Sequence, residues 1–141
     1  MYRTVTPDEA KGLLEKGYSY VDVRSVGEFD EGHVEGASNV PLLHAGMVPN
    51  ERFLDVMEAA FPKDTKLVVG CKSGGRSARA AELLTEAGYG DVVNMDGGIS
   101  GRFGPMGDLV QEGWTQAGYP VTVEAEEAST YAALEKRAEE K

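Results

Sequence analysis

Cysteine is nearly absent from this sequence, which has one residue of that type, Cys71, among 141. A single cysteine cannot form an internal disulfide, so the disulfide scaffolds of small secreted proteins are excluded. Long apolar stretches are also missing, because no run approaches the roughly 20 residues that span a bilayer and the first residues lack the apolar segment of a signal peptide. These absences predict a cytoplasmic protein, although a targeting segment already removed would leave no trace.

Positive charge is scarce relative to negative charge. The chain has 14 lysine and arginine residues against 24 aspartate and glutamate residues, which gives a formal net charge of −10. Such a field repels polyanions, so we expect neither a nucleic acid nor a membrane surface as a partner. Metal-ligand spacing is missing as well, because histidine, cysteine and carboxylate residues form no recognisable cluster in the sequence. We therefore expect no metal site.

What the sequence does have is an alternation of strand and helix patterns, over a length that suits a single domain. Predicted strands lie at residues 3–5, 18–23, 38–40, 67–69 and 91–95, and predicted helices at 7–17, 50–61 and 76–87. Strands separated by helical segments of about ten residues indicate an α/β fold, with a mostly parallel sheet and helices on both faces. Residues 101–118 have no clear pattern, and residues 122–141 predict an acidic tail with a surface helix that begins near Ser129.

The loop at residues 70–77 joins a predicted buried strand to a predicted helix. In parallel sheets, functional sites lie where strand carboxyl ends meet helix amino ends, and Cys71 lies at such a point. Backbone N–H groups in such a turn, together with the helix dipole, bind anions and favour the thiolate form of a cysteine. Residues 65–81 contain no carboxylate and four cations, which are Lys66, Lys72, Arg76 and Arg79. This basic segment in an acidic chain predicts a small anionic substrate.

Three interpretations of this loop remain open from the residues alone. In the first, Cys71 is an inert residue at the end of a buried strand, as lone cysteines often are. In the second, residues 70–77 form a phosphate loop, because they match the Walker A pattern except that Arg76 replaces its lysine. In the third, Cys71 is a nucleophile in a loop that Arg76 closes. This loop is one residue shorter than the similar loop of protein tyrosine phosphatases, which favours a terminal sulfur over a tetrahedral phosphate.

The segment from Cys71 to Ser77 resembles the active-site loop of single-domain rhodaneses, the thiosulfate sulfurtransferases. Further segments resemble the same family in the expected order, at residues 20–24, 28–29, 32–37, 94–99, Trp114 and 118–120. The resemblance covers residues 3–121 and implies a rhodanese-like three-layer fold for a domain at 1–121, with 122–141 as the tail. One departure is the insertion at 101–113, which separates the double glycine from Trp114 as in some plant-type members.

The resemblance also implies roles for individual residues. Cys71 is the expected catalytic nucleophile. The residues expected to bind substrate around it are Lys72, Ser73, Gly74, Gly75, Arg76 and Ser77. Asp22 and Arg24 are expected to support the site as an ion pair that braces neighbouring loops, and Glu28 and His33 are expected to have structural roles.

Two cations of the loop each allow two interpretations. Arg76 either holds an oxygen anion of the substrate or fixes the loop by pairing with a carboxylate. Lys72 either contacts substrate oxygens or is a solvated surface lysine. Ser77 is expected in the first turn of the helix, with its hydroxyl bonded to the loop backbone.

For a rhodanese-like site we expect sulfur transfer in two half-reactions. Cys71 takes the outer sulfur of thiosulfate or a similar donor as a persulfide, and a thiophilic acceptor then removes that sulfur. The expected partners are a small anionic sulfur donor and, as acceptor, cyanide, a low-molecular-weight thiol or a protein thiol, and no cofactor is expected. The alternatives are a non-enzymatic sulfur-carrier or redox-sensing module that exchanges persulfide with a partner protein, and arsenate or phosphate-ester chemistry at the same cysteine.

Overall fold

Short strands and helices alternate along residues 2–140, the part of the chain that the computed structural model describes. The helices are α1 (Pro7–Glu15), α2 (Val26–Glu31), α3 (Phe53–Ala60), α4 (Gly75–Glu86) and α5 (Tyr131–Glu139), with a single 3₁₀ turn at Glu127–Ser129. The strands are β1 (Arg3–Val5), β2 (Ser19–Asp22), β3 (His33–Val34), β4 (Ser38–Asn39), β5 (Leu43–His44), β6 (Val48–Pro49), β7 (Lys66–Gly70), β8 (Asp91–Met95), β9 (Arg102–Phe103), β10 (Leu109–Gln111) and β11 (Val121–Thr122).

Five of the strands form a central sheet in the order β1-β8-β7-β2-β4, and every neighbouring pair is parallel. The central strand β7 lies between β2 and β8, with Gly70 opposite Asp22 and Val69 opposite Asn94. Because β7 ends at Gly70, Cys71 lies at the carboxyl edge of the sheet, between two neighbouring strands. The expected α/β class with a parallel sheet is confirmed.

The sheet has one hydrophobic core on each face. Successive strand residues point to opposite faces, so Leu67 and Val69 of β7 pack on one side and Val68 packs on the other. The core on the Leu67 side includes buried residues of three helices, α3, α4 and α5, which are Phe53, Val56, Met57, Ala80, Ala81, Leu84, Tyr131 and Leu134. The core on the Val68 side includes Ala10 of α1 and Phe29 of α2. Helices therefore cover both faces, and the expected three-layer arrangement is confirmed.

Two helices begin with a capping box, in which each of two residues accepts, through its side chain, a hydrogen bond from the backbone N–H of the other. In α1 the pair is Thr6 and Glu9, and in α2 it is Ser25 and Glu28. The helix that follows the cysteine differs, because the N-cap of α4 is Gly74 and no side chain caps it. The first N–H groups of α4 are thus left for other acceptors.

The final segment of the chain, beyond the expected domain boundary after residue 121, packs against the preceding elements. Strand β11 spans that boundary and pairs with β3 in antiparallel fashion. A helix forms close to the predicted start, but it is not only a surface element, because Tyr131 and Leu134 are buried in the core beside α3. Apolar residues spaced three apart give this acidic segment an inward face that its overall composition conceals.

No helix within residues 2–140 is both long enough and apolar enough to cross a bilayer.

Candidate active site

The sulfur of Cys71 accepts hydrogen bonds from the backbone of the loop that follows it. Cys71 is 1% exposed, and its Sγ lies 3.0 Å from the Gly74 nitrogen and 3.4 Å from the Ser77 nitrogen. The Ser77 nitrogen belongs to the first turn of α4, so Sγ occupies the position of the missing side-chain cap. The structure therefore places the sulfur at the positive end of a helix, where negative charge is stabilised.

Other N–H groups of the same loop have no acceptor among residues 2–140. They belong to Lys72, Ser73, Gly75 and Arg76. The loop curls because Gly74 adopts a φ of 121°, in the region that favours glycine. A turn with unpaired backbone donors beside a sulfur at a helix N-terminus is suited to bind an anion next to that sulfur.

A glycine turn at residues 96–100, after β8, is hydrogen-bonded to the backbone of the cysteine loop. The Ile99 N–H donates to the Cys71 carbonyl at 2.9 Å, and the Ser100 N–H donates to the Lys72 carbonyl at 2.8 Å. Gly98 lies so close to the loop that an added Cβ would be 2.5 Å from the Lys72 carbonyl carbon. Its φ is +56°, so both the space and the backbone conformation require glycine. The resemblance includes this double glycine, but its contact with the cysteine loop follows only from the structure.

Gly70, which precedes the cysteine, also has no room for a side chain. An added Cβ would lie 2.6 Å from Cζ of Tyr20 and closer still to the Tyr20 hydroxyl. That hydroxyl is buried and has no hydrogen-bond partner in the described part of the chain. Burial and, to a smaller extent, the charge of Asp22 raise the pKa of Tyr20 well above its ordinary value. Tyr20 is thus a neutral phenol that packs directly beneath the site.

Arg76 pairs with Glu28 through two parallel hydrogen bonds. Its Nη1 and Nη2 lie 2.7 Å and 3.0 Å from Oε1 and Oε2 of Glu28. The bond from Arg76, assisted by the backbone and hydroxyl of Ser25, lowers the pKa of Glu28 to about 2. The same pairing raises the pKa of Arg76 above its ordinary value. Of the two functions considered for Arg76, the geometry shows the pairing with a carboxylate, which joins α4 to α2.

Asp22 and Arg24 form a buried ion pair at the end of β2. Nη2 of Arg24 lies 2.7 Å from Oδ2 of Asp22, and the same nitrogen donates to the Gly32 carbonyl at 2.7 Å. The Asn39 amide donates to the carbonyls of both residues, at 3.0 Å and 2.9 Å. Asn39 therefore ties the carboxyl end of β2 to β4, and Arg24 ties it to the turn after α2. None of these bonds reaches the sulfur of Cys71.

Two of the four cations of the basic segment pair with carboxylates in the fold. Besides the Arg76–Glu28 pair, Arg79 lies 2.6 Å from Glu82, and Lys66 stacks over the ring of Tyr18. Lys72 is exposed, and no described carboxylate lies within salt-bridge distance of it. Its ammonium group is thus the cation beside the cysteine that is most available to a substrate.

His33 is buried away from the sulfur and holds two backbone segments together. Its Nδ1 lies 2.8 Å from the Phe29 carbonyl and its Nε2 lies 3.1 Å from the Glu124 carbonyl. The ring also stacks on Phe29, with centroids 3.8 Å apart. These contacts give His33 a structural position.

Ser77 connects the sulfur to a residue that the sequence did not single out for the site. Its Oγ lies 3.4 Å from Cys71 Sγ, 3.2 Å from the Gly74 carbonyl and 2.6 Å from Oδ1 of Asn94. Asn94 is buried, and it is the polar residue among the four buried positions of β8, 92–95. A polar side chain within a central strand was the available signal, but its direction depends on the register of β8 against β7.

The insertion at 101–113 forms a hairpin of β9 and β10 beside the glycine turn. Arg102 in β9 pairs with Asp96 through bonds of 2.9 Å and 3.1 Å, and Glu112 lies against Gly97. The hairpin exposes apolar side chains to solvent, among them Met106, which is 92% exposed, and Phe103. The unassigned segment of the sequence is therefore a hairpin with exposed apolar side chains, beside the glycine turn that contacts the cysteine loop.

Comparison with known proteins agrees with this arrangement. The family model of the rhodanese-like domain matches residues 6–102, which include the cysteine loop and both ion pairs that surround it. The chain belongs to the rhodanese family.

Two relatives of this rhodanese domain are proteins of the plant Arabidopsis thaliana. Protein HIGH ARSENIC CONTENT 1, mitochondrial, of Arabidopsis thaliana is 43% identical over 100 residues, which are 69% of this chain and 59% of that protein, so the chain spans less than two thirds of this relative. Thiosulfate sulfurtransferase 16, chloroplastic, of the same plant is 40% identical over 100 residues, which are 69% of this chain and 83% of that protein.

A solved structure extends the similarity beyond that match. The crystal structure of Rv0390 from M. tuberculosis superposes with a TM-score of 0.77 at 27% identity, and it covers 88% of this chain and 100% of that one. The rhodanese-like fold is thereby shown for most of the chain.

Proposed function

We propose that the chain is a sulfurtransferase in which Cys71 carries sulfur as a persulfide between a thiosulfate-like donor and a thiophilic acceptor. Sulfur transfer in general is supported by membership of the rhodanese family and by a relative that is named as a thiosulfate sulfurtransferase. The observation that carries the finer proposal is the position of Cys71 Sγ at the start of α4, where it accepts two backbone hydrogen bonds. This position stabilises negative charge on the sulfur.

In the first half-reaction the Cys71 thiolate attacks the outer sulfur of thiosulfate. A new S–S bond forms at Cys71 while the S–S bond of the donor breaks, and its electron pair leaves with sulfite. The negative charge moves to the terminal sulfur of the Cys71 persulfide. The unpaired N–H groups of Ser73, Gly75 and Arg76 are the donors available to stabilise that charge.

In the second half-reaction a nucleophile attacks the terminal sulfur. Cyanide forms a bond to that sulfur, the S–S bond at Cys71 breaks, and its electron pair returns to Sγ as the thiolate. A thiol acceptor, attacking as its thiolate, would take the sulfur as a persulfide in the same way. Both half-reactions balance without an outside oxidant or reductant, so the proposal includes no cofactor.

Charge at the mouth of the site favours an anionic donor. Lys72 is exposed beside Cys71, whereas Arg76 is held by Glu28 and contributes its positive charge from a fixed position. Lys72 therefore binds the sulfonate end of the donor, and Arg76 keeps the loop in the shape that the persulfide needs.

Steady-state kinetics with thiosulfate and cyanide tests this proposal. A persulfide intermediate requires a ping-pong pattern, with parallel lines in double-reciprocal plots at several fixed cyanide concentrations. Cys71→Ser must lose all turnover while its circular dichroism spectrum stays that of the unmodified protein. Intersecting lines, or turnover that persists in Cys71→Ser, would contradict the proposal.

The alternative is a sulfur-carrier or redox-sensing module that exchanges persulfide with a partner protein. The observation in its favour is the hairpin of β9 and β10, which exposes Phe103 and Met106 next to the glycine turn that contacts the cysteine loop. Fast transfer from a protein persulfide, combined with slow turnover of thiosulfate, would favour this alternative. Turnover of arsenate or of an aryl phosphate that Cys71→Ser abolishes would instead favour oxyanion chemistry at the same cysteine.

A further inference from the structure

The hydroxyl of Ser77 has one proton and three acceptors around it. Oδ1 of Asn94 is at 2.6 Å, the Gly74 carbonyl is at 3.2 Å, and Sγ of Cys71 is at 3.4 Å. A hydroxyl donates one hydrogen bond and accepts others through its lone pairs. At most one of the three acceptors therefore receives the Ser77 proton at any time.

The short contact with Asn94 decides where that proton lies. An oxygen–oxygen distance of 2.6 Å is a strong hydrogen bond, and Oδ1 of an amide cannot donate, so Ser77 is the donor. The Ser77 oxygen then presents a lone pair to Cys71 Sγ. A lone pair in that position accepts a bond from a protonated thiol and repels a thiolate or a persulfide anion.

A half turn of the Asn94 carboxamide would reverse this arrangement. It would place Nδ2 on Ser77 Oγ as a donor. The Ser77 proton would then be released to bond to an anionic Sγ in preference to the neutral Gly74 carbonyl. An amide has an acceptor and a donor of nearly equal shape, so both orientations fit the same space. Within residues 2–140 the Asn94 side chain has no other hydrogen bond that would hold it in one orientation.

We propose that Asn94 is a positioning residue that sets the direction of the Ser77 hydroxyl, so that Ser77 accepts from the Cys71 thiol or donates to its anionic forms. The inference rests on the proposed role of Cys71 as the nucleophile. Asn94 lies opposite Val69 in the sheet, and its side chain bonds to Ser77, so it acts on Cys71 through that hydroxyl.

Other charged or titratable groups face Cys71 from neighbouring elements, and they are separate from this network. Arg76 of α4, paired with Glu28 of α2, and the buried phenol of Tyr20 on β2 are the groups close to Cys71. Lys72 adjoins the cysteine in the loop. No hydrogen bond joins any of these groups to Asn94 in the described part of the chain, so a change at position 94 leaves them in place.

The test is the rate of Cys71 alkylation by iodoacetamide as a function of pH, because only the thiolate reacts. Asn94→Asp fixes an acceptor on Ser77 and is expected to slow alkylation about tenfold near neutral pH, which is the effect of about one hydrogen bond. Asn94→Leu has a similar shape but neither accepts nor donates. It is expected to react at least as fast as the unmodified protein, because the Ser77 proton is no longer drawn away from Sγ.

The Ser77→Ala background separates the hydroxyl from the charge of the new carboxylate. If Asn94 acts through Ser77, Asn94→Asp slows alkylation less than about twofold in that background. Equal slowing with and without the Ser77 hydroxyl would overturn the inference, because the carboxylate would then act by its charge alone. Equal slowing in Asn94→Asp and Asn94→Leu would overturn it too, because a merely structural role affects both variants alike.

Alkylation requires no sulfur donor, so this experiment is independent of the proposed function. Alkylation rates that follow the expected order, together with an absence of thiosulfate turnover, would support the role of Asn94 and reject thiosulfate sulfurtransferase activity.

Discussion

Substitution of Gly98 by alanine tests whether the glycine turn after β8 positions the cysteine loop. An alanine Cβ at this position would lie 2.5 Å and 2.6 Å from the carbonyl carbon and oxygen of Lys72, where ordinary contacts begin at 3.4 Å. The obstructing atoms are backbone, so they cannot turn aside as a flexible side chain would. The loop must therefore move by about 1 Å, and a misplacement of that size near reacting groups costs about 100-fold in rate.

The expected loss of stability has two parts. Alanine in the left-handed region costs about 1 kcal/mol relative to glycine, and overpacking against backbone adds about 1–3 kcal/mol. Gly107 offers a matched control, because its φ of +81° imposes the same kind of strain while a Cβ there meets nothing within 4 Å. Gly107→Ala is thus expected to lose about 1 kcal/mol and to keep its activity.

Denaturant unfolding measures the stability of both variants, and Cys71 alkylation together with thiosulfate–cyanide turnover measures the site. We expect Gly98→Ala to lower the free energy of unfolding by about 2–4 kcal/mol and to lower the turnover rate about 100-fold. Equal losses in Gly98→Ala and Gly107→Ala would show that backbone conformation is the whole effect. Unchanged turnover in Gly98→Ala would refute the argument that this turn positions the cysteine loop.

Three further substitutions test the surroundings of the site by unfolding measurements. Glu28 is 33% exposed and its pKa of about 2 lies below its ordinary value of 4.5, so the pairing with Arg76 contributes stability that is complete above pH 4.5 and is lost as pH falls toward 2. After allowance for solvent screening, Glu28→Gln is expected to lose about 1–2 kcal/mol at neutral pH and to lack that acid-dependent component, and an equal acid dependence in both proteins would contradict the assignment. Tyr20→Phe removes a buried hydroxyl without a partner and is expected to be neutral or to gain up to about 1 kcal/mol, so a clear loss would reveal a missed hydrogen bond. Leu134→Ala is expected to lower the free energy of unfolding by about 2–4 kcal/mol. A loss near zero would contradict the packing of α5 into the core.

Elements that depend on local chemistry were predicted well from the sequence. The strand at β8 and the strand at β1 were predicted with their observed bounds, because short apolar runs between turn residues identify buried strands. The position of Cys71 at the carboxyl edge of the sheet followed from the same pattern. The start of α4 was predicted within one residue, since glycines mark the end of the preceding turn.

Features that depend on the register between distant segments were not predictable in the same way. The sequence allowed a carboxylate partner for Arg76 but did not identify Glu28, which is 48 residues away along the chain. The contact of Asn94 with Ser77 requires β8 to lie directly beside β7, and strand order is a tertiary property. The support of the cysteine loop by Gly98 has the same origin.

Two segments gave only weak signals in the sequence. The last residues are acidic overall, and their few apolar side chains were outweighed in the average, although those side chains reach the core. The insertion at 101–113 gave no periodic signal because β9 and β10 form a short, irregular hairpin with a register shift between Leu109 and Gln111. A hairpin that buries little of its own surface has no clear alternation of apolar and polar residues.

The most direct test of the central claim is the mass of the Cys71 peptide after incubation with thiosulfate and without an acceptor. If backbone N–H groups stabilise an anionic sulfur at this residue, the peptide gains the mass of one sulfur atom, and the gain disappears when cyanide is added. A Cys71 peptide of unchanged mass after incubation with a large excess of thiosulfate would contradict the account.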